Sequence, residues 1–166
     1  MVQDREDLRP SRLWKRMPEP MRRMASAAMW TDKESAEQQA EAVAAIAKQM
    51  KFRPKSVQAL APDRKARYLA SIAAVPETLA ARLLVSYHLA HQRPMMTEFL
   101  DALGIAHDNG LITEEHLQAP DPAKLAEAVR RLRDTHAPDA VRLYLSTLAG
   151  QDPETWGGLE PLIDRD

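Results

Sequence analysis

Hydrophobic residues recur every three or four positions along most of the chain, and polar residues fill the positions between them. This is the spacing of an amphipathic α-helix, whose apolar side chains share one face. The pattern predicts helices over about residues 18–30, 33–50, 54–60, 62–74, 76–91, 94–103, 121–135 and 138–149. Only in 76–91 do apolar residues cover nearly every side, which is typical of a buried central helix.

Prolines and glycines mark where these helices begin and end. Several predicted helices begin at a proline, because its missing N–H costs no hydrogen bond in the first turn. Gly104 is predicted to end the helix before it, since glycine tolerates the left-handed conformation that closes many helices. The dipeptide Asn109-Gly110 predicts a turn within residues 105–112, either in a tiny hairpin or in a plain loop.

Capping residues define the predicted helix boundaries in the second half of the chain. Asp121 followed by Pro122 is the expected start of a helix, an N-cap acceptor and a first-turn proline. Thr113 is predicted to cap a short helix with the sequence EEHLQ. Gly150 is predicted to end the last long helix, and one further turn is expected to position Trp156.

The composition supports an all-α fold. The chain has 27 Ala and 19 Leu, which favour helices, against 7 Val, 5 Ile and 7 Thr, which suit strands. We therefore predict an all-α, single compact domain of about seven or eight short helices, an irregular or orthogonal bundle around 76–91. Residues 62–90 and 122–150 share residue types at six equivalent positions, so the bundle could contain two similar helical hairpins.

We divide the chain into three parts. Residues 1–16 are charged and poor in apolar groups, so we expect a weakly ordered N-terminal arm. Residues 17–160 form the predicted helical domain, and residues 161–166 an acidic tail. We predict no signal peptide and no membrane span, and we expect a cytoplasmic protein.

Two absences restrict the chemistry. The chain has no cysteine, so disulfides, thiolate zinc sites and a cysteine nucleophile are excluded. No glycine occurs in the first 103 residues, and no glycine-rich phosphate loop is present. No serine stands in a nucleophile motif, so the sequence indicates no reaction.

The strongest candidate for a functional site is a group of residues around two histidines. His88 and His91 lie three residues apart, on one face of the predicted 76–91 helix. Arg93, Glu98 and His107 follow closely in sequence and are further candidates for a ligand or partner site. Structural roles for the two histidines explain the same spacing, and the third and fourth ligands of a metal site are not evident. We predict no metal and no cofactor.

The N-terminal region offers a candidate partner surface. Trp14 lies among basic residues, and Met21 and Met24 lie on one helix face, where flexible side chains can adapt to a partner. Ordinary core packing explains the methionines equally. Nucleic acid is disfavoured as a partner because the whole chain has a pI of about 6.5, whereas phosphate binding requires a sustained positive surface.

The sequence therefore favours a non-catalytic helical protein that acts through protein–protein contacts, as an adaptor, a regulator or a component of an oligomer. The alternative is a ligand- or metal-binding protein, or an enzyme, with a pocket beside His88 and His91. We expect a protein partner or a homo-oligomer, and we expect no interaction with a membrane. The sequence does not identify a small-molecule ligand.

Overall fold

The structure, a computed structural model, describes residues 5–163 and confirms the all-α prediction. The helices are α1 (Pro10–Arg16), α2 (Glu19–Trp30), α3 (Ala36–Met50), α4 (Pro54–Gln58), α5 (Pro62–Ala70), α6 (Glu77–His91), α7 (Arg93–Ala102), α8 (Pro122–Thr135), α9 (Pro138–Gln151), α10 (Pro153–Trp156) and α11 (Glu160–Ile163). Short 3₁₀ turns occupy Arg5–Leu8, Lys33–Ser35 and Gly157–Leu159. No helix within residues 5–163 is long and apolar enough to cross a lipid bilayer.

The open choice between a hairpin and a loop is resolved as a hairpin. Strands β1 (His107–Asp108) and β2 (Leu111–Ile112) pair in antiparallel register, with His107 opposite Ile112. Asn109 and Gly110 both have positive φ, 48° and 97°, as the turn between such short strands requires. The hairpin is the only β structure in the described part of the chain.

Contacts divide the chain into two compact units. We call Pro10–Tyr87 the N-terminal unit, and Met1–Arg9 together with His88–Asp166 the C-terminal unit. The division falls inside α6, which contributes its residues through Tyr87 to the N-terminal unit. Neither boundary coincides with the domain limits predicted at residues 16 and 160.

The N-terminal unit packs α2 along α5, and α3 against α4 and α5. Its buried residues include Trp14, Met29, Ile46, Val57 and Leu69, none of which is measurably exposed. The Trp14 indole N–H donates a hydrogen bond of 2.9 Å to the carbonyl oxygen of Ile72. Tryptophan can therefore be fully buried here, because its one polar atom has a partner.

The C-terminal unit packs α7 on α8, and α9 against the short helices that follow it. Its core is built around Phe99, whose ring contacts Tyr144 edge-on and lies tilted against Trp156, at centroid distances of 5.7 and 5.9 Å. Leu8, from the N-terminal 3₁₀ turn, is buried in the same cluster.

The N-terminal segment differs from the weakly ordered arm that we expected. Residues 10–16 form α1, and Leu8, Leu13 and Trp14 are all buried. Few apolar residues occur here, but one tryptophan and two leucines bury enough surface to fix a short segment. Residues 1–4 lie outside the described part of the chain.

The structure corrects two helix-end predictions. The sequence EEHLQ after Thr113 forms no helix: its residues lie in a turn and in irregular structure that continues to Pro120. Gly150 lies inside α9 and does not end it. A Cβ at Gly150 would stand 1.8 Å from the Leu8 carbonyl oxygen, so this glycine permits a close approach of two backbones.

The remaining local predictions concern Gly104, the buried face of α3 and the C-terminal tail. Gly104 has φ 67° and follows α7, as predicted. The three-to-four spacing of the apolar residues predicts a buried face of α3 made of Ala36, Ala40, Val43, Ala47 and Met50. In the structure Val43 and Ala47 are buried together with Ala42 and Ile46, whereas Ala36 and Ala40 are exposed. The observed face buries Ile46, the largest apolar side chain of this helix apart from Met50. The predicted acidic tail begins within α11, and residues 164–166 lie outside the described residues.

Candidate functional site

His88 is held as a neutral structural residue in the C-terminal unit. Its side chain is 1% exposed, and its Nε2 lies 2.9 Å from the Thr147 hydroxyl oxygen. That hydroxyl donates its own proton to the Leu143 carbonyl oxygen at 2.8 Å, so His88 Nε2–H must be the donor to Thr147. Burial lowers the pKa of His88 to about 3.

The structure does not gather the other predicted site residues around His88. His91 is exposed at the end of α6. Arg93 donates to the backbone oxygen of Asn109 at 2.6 Å, and thereby ties the start of α7 to the hairpin turn. Among residues 5–163, no three His, Asp or Glu side chains come together as a metal site.

His107 stabilises the hairpin. Its Nε2 lies 2.7 Å from the Asp101 carboxylate, and its Nδ1 accepts a hydrogen bond of 3.1 Å from the Gly110 N–H. With Nδ1 acting as an acceptor, the ring proton is on Nε2 and points at Asp101. Both ring nitrogens thus have structural partners.

Glu98 forms a pair that the sequence did not indicate. One carboxylate oxygen lies 2.7 Å from His136 Nε2, and the other accepts from the Thr135 hydroxyl at 3.2 Å. These contacts join α7 to the end of α8. A separation of 38 residues leaves no local pattern from which this pair could be predicted.

The predicted partner surface is reduced to one exposed methionine. Trp14 is fully buried, so it is a core residue and is not presented to a partner. Met21 is half-buried, while Met24 is 43% exposed. These residues do not form a continuous apolar surface with Trp14.

A different surface of the N-terminal unit combines positive charge with aromatic rings. We call it the basic–aromatic surface and define it by Lys51, Phe52, Arg53, Lys55, Arg64, Lys65, Arg67 and Tyr68. Phe52 and Tyr68 meet edge to face with centroids 5.7 Å apart. The guanidinium groups of Arg64 and Arg67 lie 6.0 and 5.6 Å from the Tyr68 ring centroid, within cation–π range.

The local sequence explains why these groups lie together. Lys51 adopts the left-handed conformation, φ 58° and ψ 37°, and ends α3. The Phe52 N–H then bonds back to the Ala47 carbonyl oxygen, which turns Phe52 outward so that 40% of it is exposed. Pro54 then begins α4, and its fixed φ restricts the backbone conformations available directly after this turn.

A second aromatic–cation contact extends the same chemistry. The Lys65 ammonium lies 5.0 Å from the Trp30 ring centroid. Residues 42–76 contain seven lysines and arginines and a single acid, Asp63, which pairs with Arg23 at 3.0 Å. The surface can therefore bind carboxylates through several cations, with arginine able to form bidentate contacts.

The net charge of −1 hides a strong separation of charge. The N-terminal unit carries 14 lysines and arginines against seven acids, a formal charge of +7. The sequence of the C-terminal unit carries nine against 17, a formal charge of −8. The whole-chain pI thus gives no information about which partners the basic–aromatic surface can bind.

Comparison with known proteins gives no match. No family model, no curated protein and no solved structure matches the chain. The assignment of a function therefore depends on geometry and charge.

The positive charge of the basic–aromatic surface could have been predicted from the sequence. The net charge of short stretches of sequence, unlike that of the whole chain, identifies residues 42–76 as strongly basic. The predicted partner surface instead included Trp14 among its basic neighbours, but this ring is buried, and the Arg22 guanidinium lies 5.8 Å from its centroid. The clustering of Phe52 and Tyr68 depends on how α3 and α5 pack, so it required the structure.

Proposed function

We propose that the protein is a non-catalytic binding protein that acts through protein–protein contacts, and that an acidic partner binds its basic–aromatic surface. The observation that carries the proposal is the placement of Arg64 and Arg67 over the ring of Tyr68, which meets Phe52 edge to face. Arginine and tyrosine are enriched at the energetic centres of protein interfaces. We retain the sequence-based expectation that the protein acts in the cytoplasm.

The alternative, a pocket with catalytic or ligand chemistry beside His88 and His91, has less support. His88 donates to Thr147, and burial lowers its pKa to about 3, so it is a poor proton acceptor near neutral pH. His107 and Glu98 are each bonded to residues outside the predicted cluster. Four of the candidate residues, His88, Arg93, Glu98 and His107, thus form contacts within the C-terminal unit.

A binding measurement with charge-reversed variants tests the proposal. The probe is a fluorescein-labelled peptide of alternating glutamate and leucine, with a glutamine–leucine peptide as the uncharged reference. We expect the double variant Arg64→Glu and Arg67→Glu to weaken binding of the acidic peptide by about tenfold or more. Fluorescence anisotropy at low and moderate salt gives the dissociation constants.

The matched control is the double variant Arg130→Glu and Arg131→Glu in α8. It changes the net charge by the same amount, but on exposed residues of the C-terminal unit. An equal loss of binding in both variants would mean that net charge alone matters, and would overturn the proposal. Tighter binding of a single-stranded oligothymidine than of the acidic peptide would also overturn it, in favour of a nucleic-acid partner.

A further inference from the structure

The C-terminal unit contains a cleft whose chemistry is complementary to the basic–aromatic surface. We call it the acidic cleft. It has a volume of about 420 Å³ and lies entirely within this unit. Its walls include Ile112, Leu117 and Leu148, and its rim carries Glu114, Glu115 and Asp152.

The residues on its rim are accessible. Glu114, Glu115 and Asp152 are all exposed. An apolar wall beneath a carboxylate rim suits an apolar side chain that is flanked by cations, since each part of the ligand then meets its complement. The cleft is therefore complementary to a segment of mixed apolar and basic character.

The turn after α3 has this character. Phe52 is 40% exposed and is flanked in sequence by Lys51, Arg53 and Lys55, all of which are exposed. An exposed aromatic side chain that is flanked in sequence by cations can serve as an anchor at an interface.

We propose that the partner of the basic–aromatic surface is a second copy of this chain, whose acidic cleft receives Phe52. This inference rests on the proposed function and names its partner. The two surfaces differ, so the contact is heterologous and each copy offers one surface of each kind. The formal charges of +7 and −8 on the two units supply the complementarity that brings copies together.

Sedimentation velocity tests the inference with the full chain. The contact is small, so we expect association with a dissociation constant in the range of about 1–100 µM at about 50 mM salt. At about 500 mM salt screening should leave a monomer. Phe52→Ala should weaken association about tenfold or more, while Leu111→Ala, which removes another exposed apolar side chain, should leave it unchanged.

Mixing two charge-reversed variants gives the sharper test. The first variant carries Arg53→Glu and Lys55→Glu, and the second carries Glu114→Lys and Glu115→Lys. Alone, each variant presents two surfaces of like charge at the contact, so each should sediment as a monomer. Mixed, the intact cleft of the first meets the intact Phe52 turn of the second, and association should return.

The outcomes separate this inference from the function on which it rests. A wild-type protein that stays monomeric while it binds the acidic peptide would overturn the second-copy inference and leave the proposed function standing. Association that survives both Phe52→Ala and charge reversal would overturn the assigned contact. Circular dichroism and melting curves establish that each variant is folded, and Phe52→Ala supplies an uncharged variant if a charge reversal fails to fold.

Discussion

At the scale of single residues, the buried polar groups of the C-terminal unit have structural roles. His88 is the clearest case, because the Thr147 hydroxyl donates its proton to the Leu143 carbonyl oxygen and accepts the His88 Nε2–H. Protonation of the ring would place a charge in a site that is closed to water. Burial likewise raises the pKa of Tyr144 above its usual range. Both rings therefore stay neutral over the physiological range.

The first prediction concerns the pH dependence of stability. The pKa of His88 is about 3 in the folded protein and 6.5 for an unperturbed histidine, so between these values the unfolded chain binds more protons. The free energy of unfolding therefore falls as the pH drops from 6.5 towards 3, by about 1.4 kcal/mol per pH unit from this group. Urea denaturation at pH 7 and pH 5 measures the effect.

Two variants isolate the contribution of His88. His88→Gln removes the titrating ring. Between pH 7 and pH 5 the unfolding free energy of this variant should therefore fall by about 2 kcal/mol less than that of the wild type. His91→Gln, on the exposed histidine of the same helix, should retain the wild-type dependence. Identical pH profiles for wild type and His88→Gln would show that His88 titrates normally.

At the scale of elements, α9 has a glycine in its last turn. Glycine normally weakens a helix, so its presence in α9 needs a compensating contact. The close approach of the Leu8 backbone supplies one, since any side chain at position 150 would collide with it. The 3₁₀ turn that ends at Leu8 is therefore packed against α9.

The second prediction follows from this contact. Gly150→Ala should destabilise the protein by about 1–3 kcal/mol, the usual cost of overpacking, although alanine favours helices. Gly157→Ala is the control, because Gly157 has helical backbone angles and nothing lies within 4 Å of the point that its Cβ would occupy. It should be neutral or stabilising by up to about 1 kcal/mol. Thermal denaturation compares the two, and a stabilised Gly150→Ala would contradict the contact.

The third prediction concerns the most apolar helix. Leu83 and Leu84 in α6 are both fully buried, so truncating either to alanine should cost about 2–5 kcal/mol of unfolding free energy. Leu111→Ala, at a leucine that is 43% exposed, should cost less than about 0.5 kcal/mol. Chemical denaturation provides the values. A small effect at both buried positions would mean that α6 does not carry the core.

Sequence patterns predicted what is decided locally. Asp121 caps α8 through the Lys124 N–H, because an N-cap and its target lie three residues apart. The choice of face in α3 was missed because the packing of neighbouring helices decides it. The contact between Leu8 and Gly150 joins the two ends of the chain, so the sequence pattern alone predicts only a weakly ordered arm over residues 1–16. The pairing of Glu98 with His136 was missed for the same reason of distance.

At the scale of the whole molecule, the separation of charge is the dominant feature. Lys51, Arg53 and Lys55 stand within five residues of one another, and the C-terminal unit concentrates acids instead. Like charges held close together repel and reduce stability, while they also attract oppositely charged partners. A net charge near zero is therefore compatible with strong local fields, on which both the proposed function and the second-copy inference depend.

The last prediction tests these fields through stability alone. Lys55, in the five-residue helix α4, and Lys124, in the first turn of α8, are both exposed, and replacing either by glutamate changes the net charge by the same amount. Lys55→Glu relieves repulsion in the basic unit, whereas Lys124→Glu adds a carboxylate near Asp121 and Glu127. We expect Lys55→Glu to be the more stable variant by about 0.5–1 kcal/mol at low salt. Differential scanning calorimetry at about 20 mM and about 500 mM salt should show this difference shrinking, because exposed charges are screened. A difference of the opposite sign, or one that is insensitive to salt, would mean that the two units do not carry the opposing fields that their sequences imply.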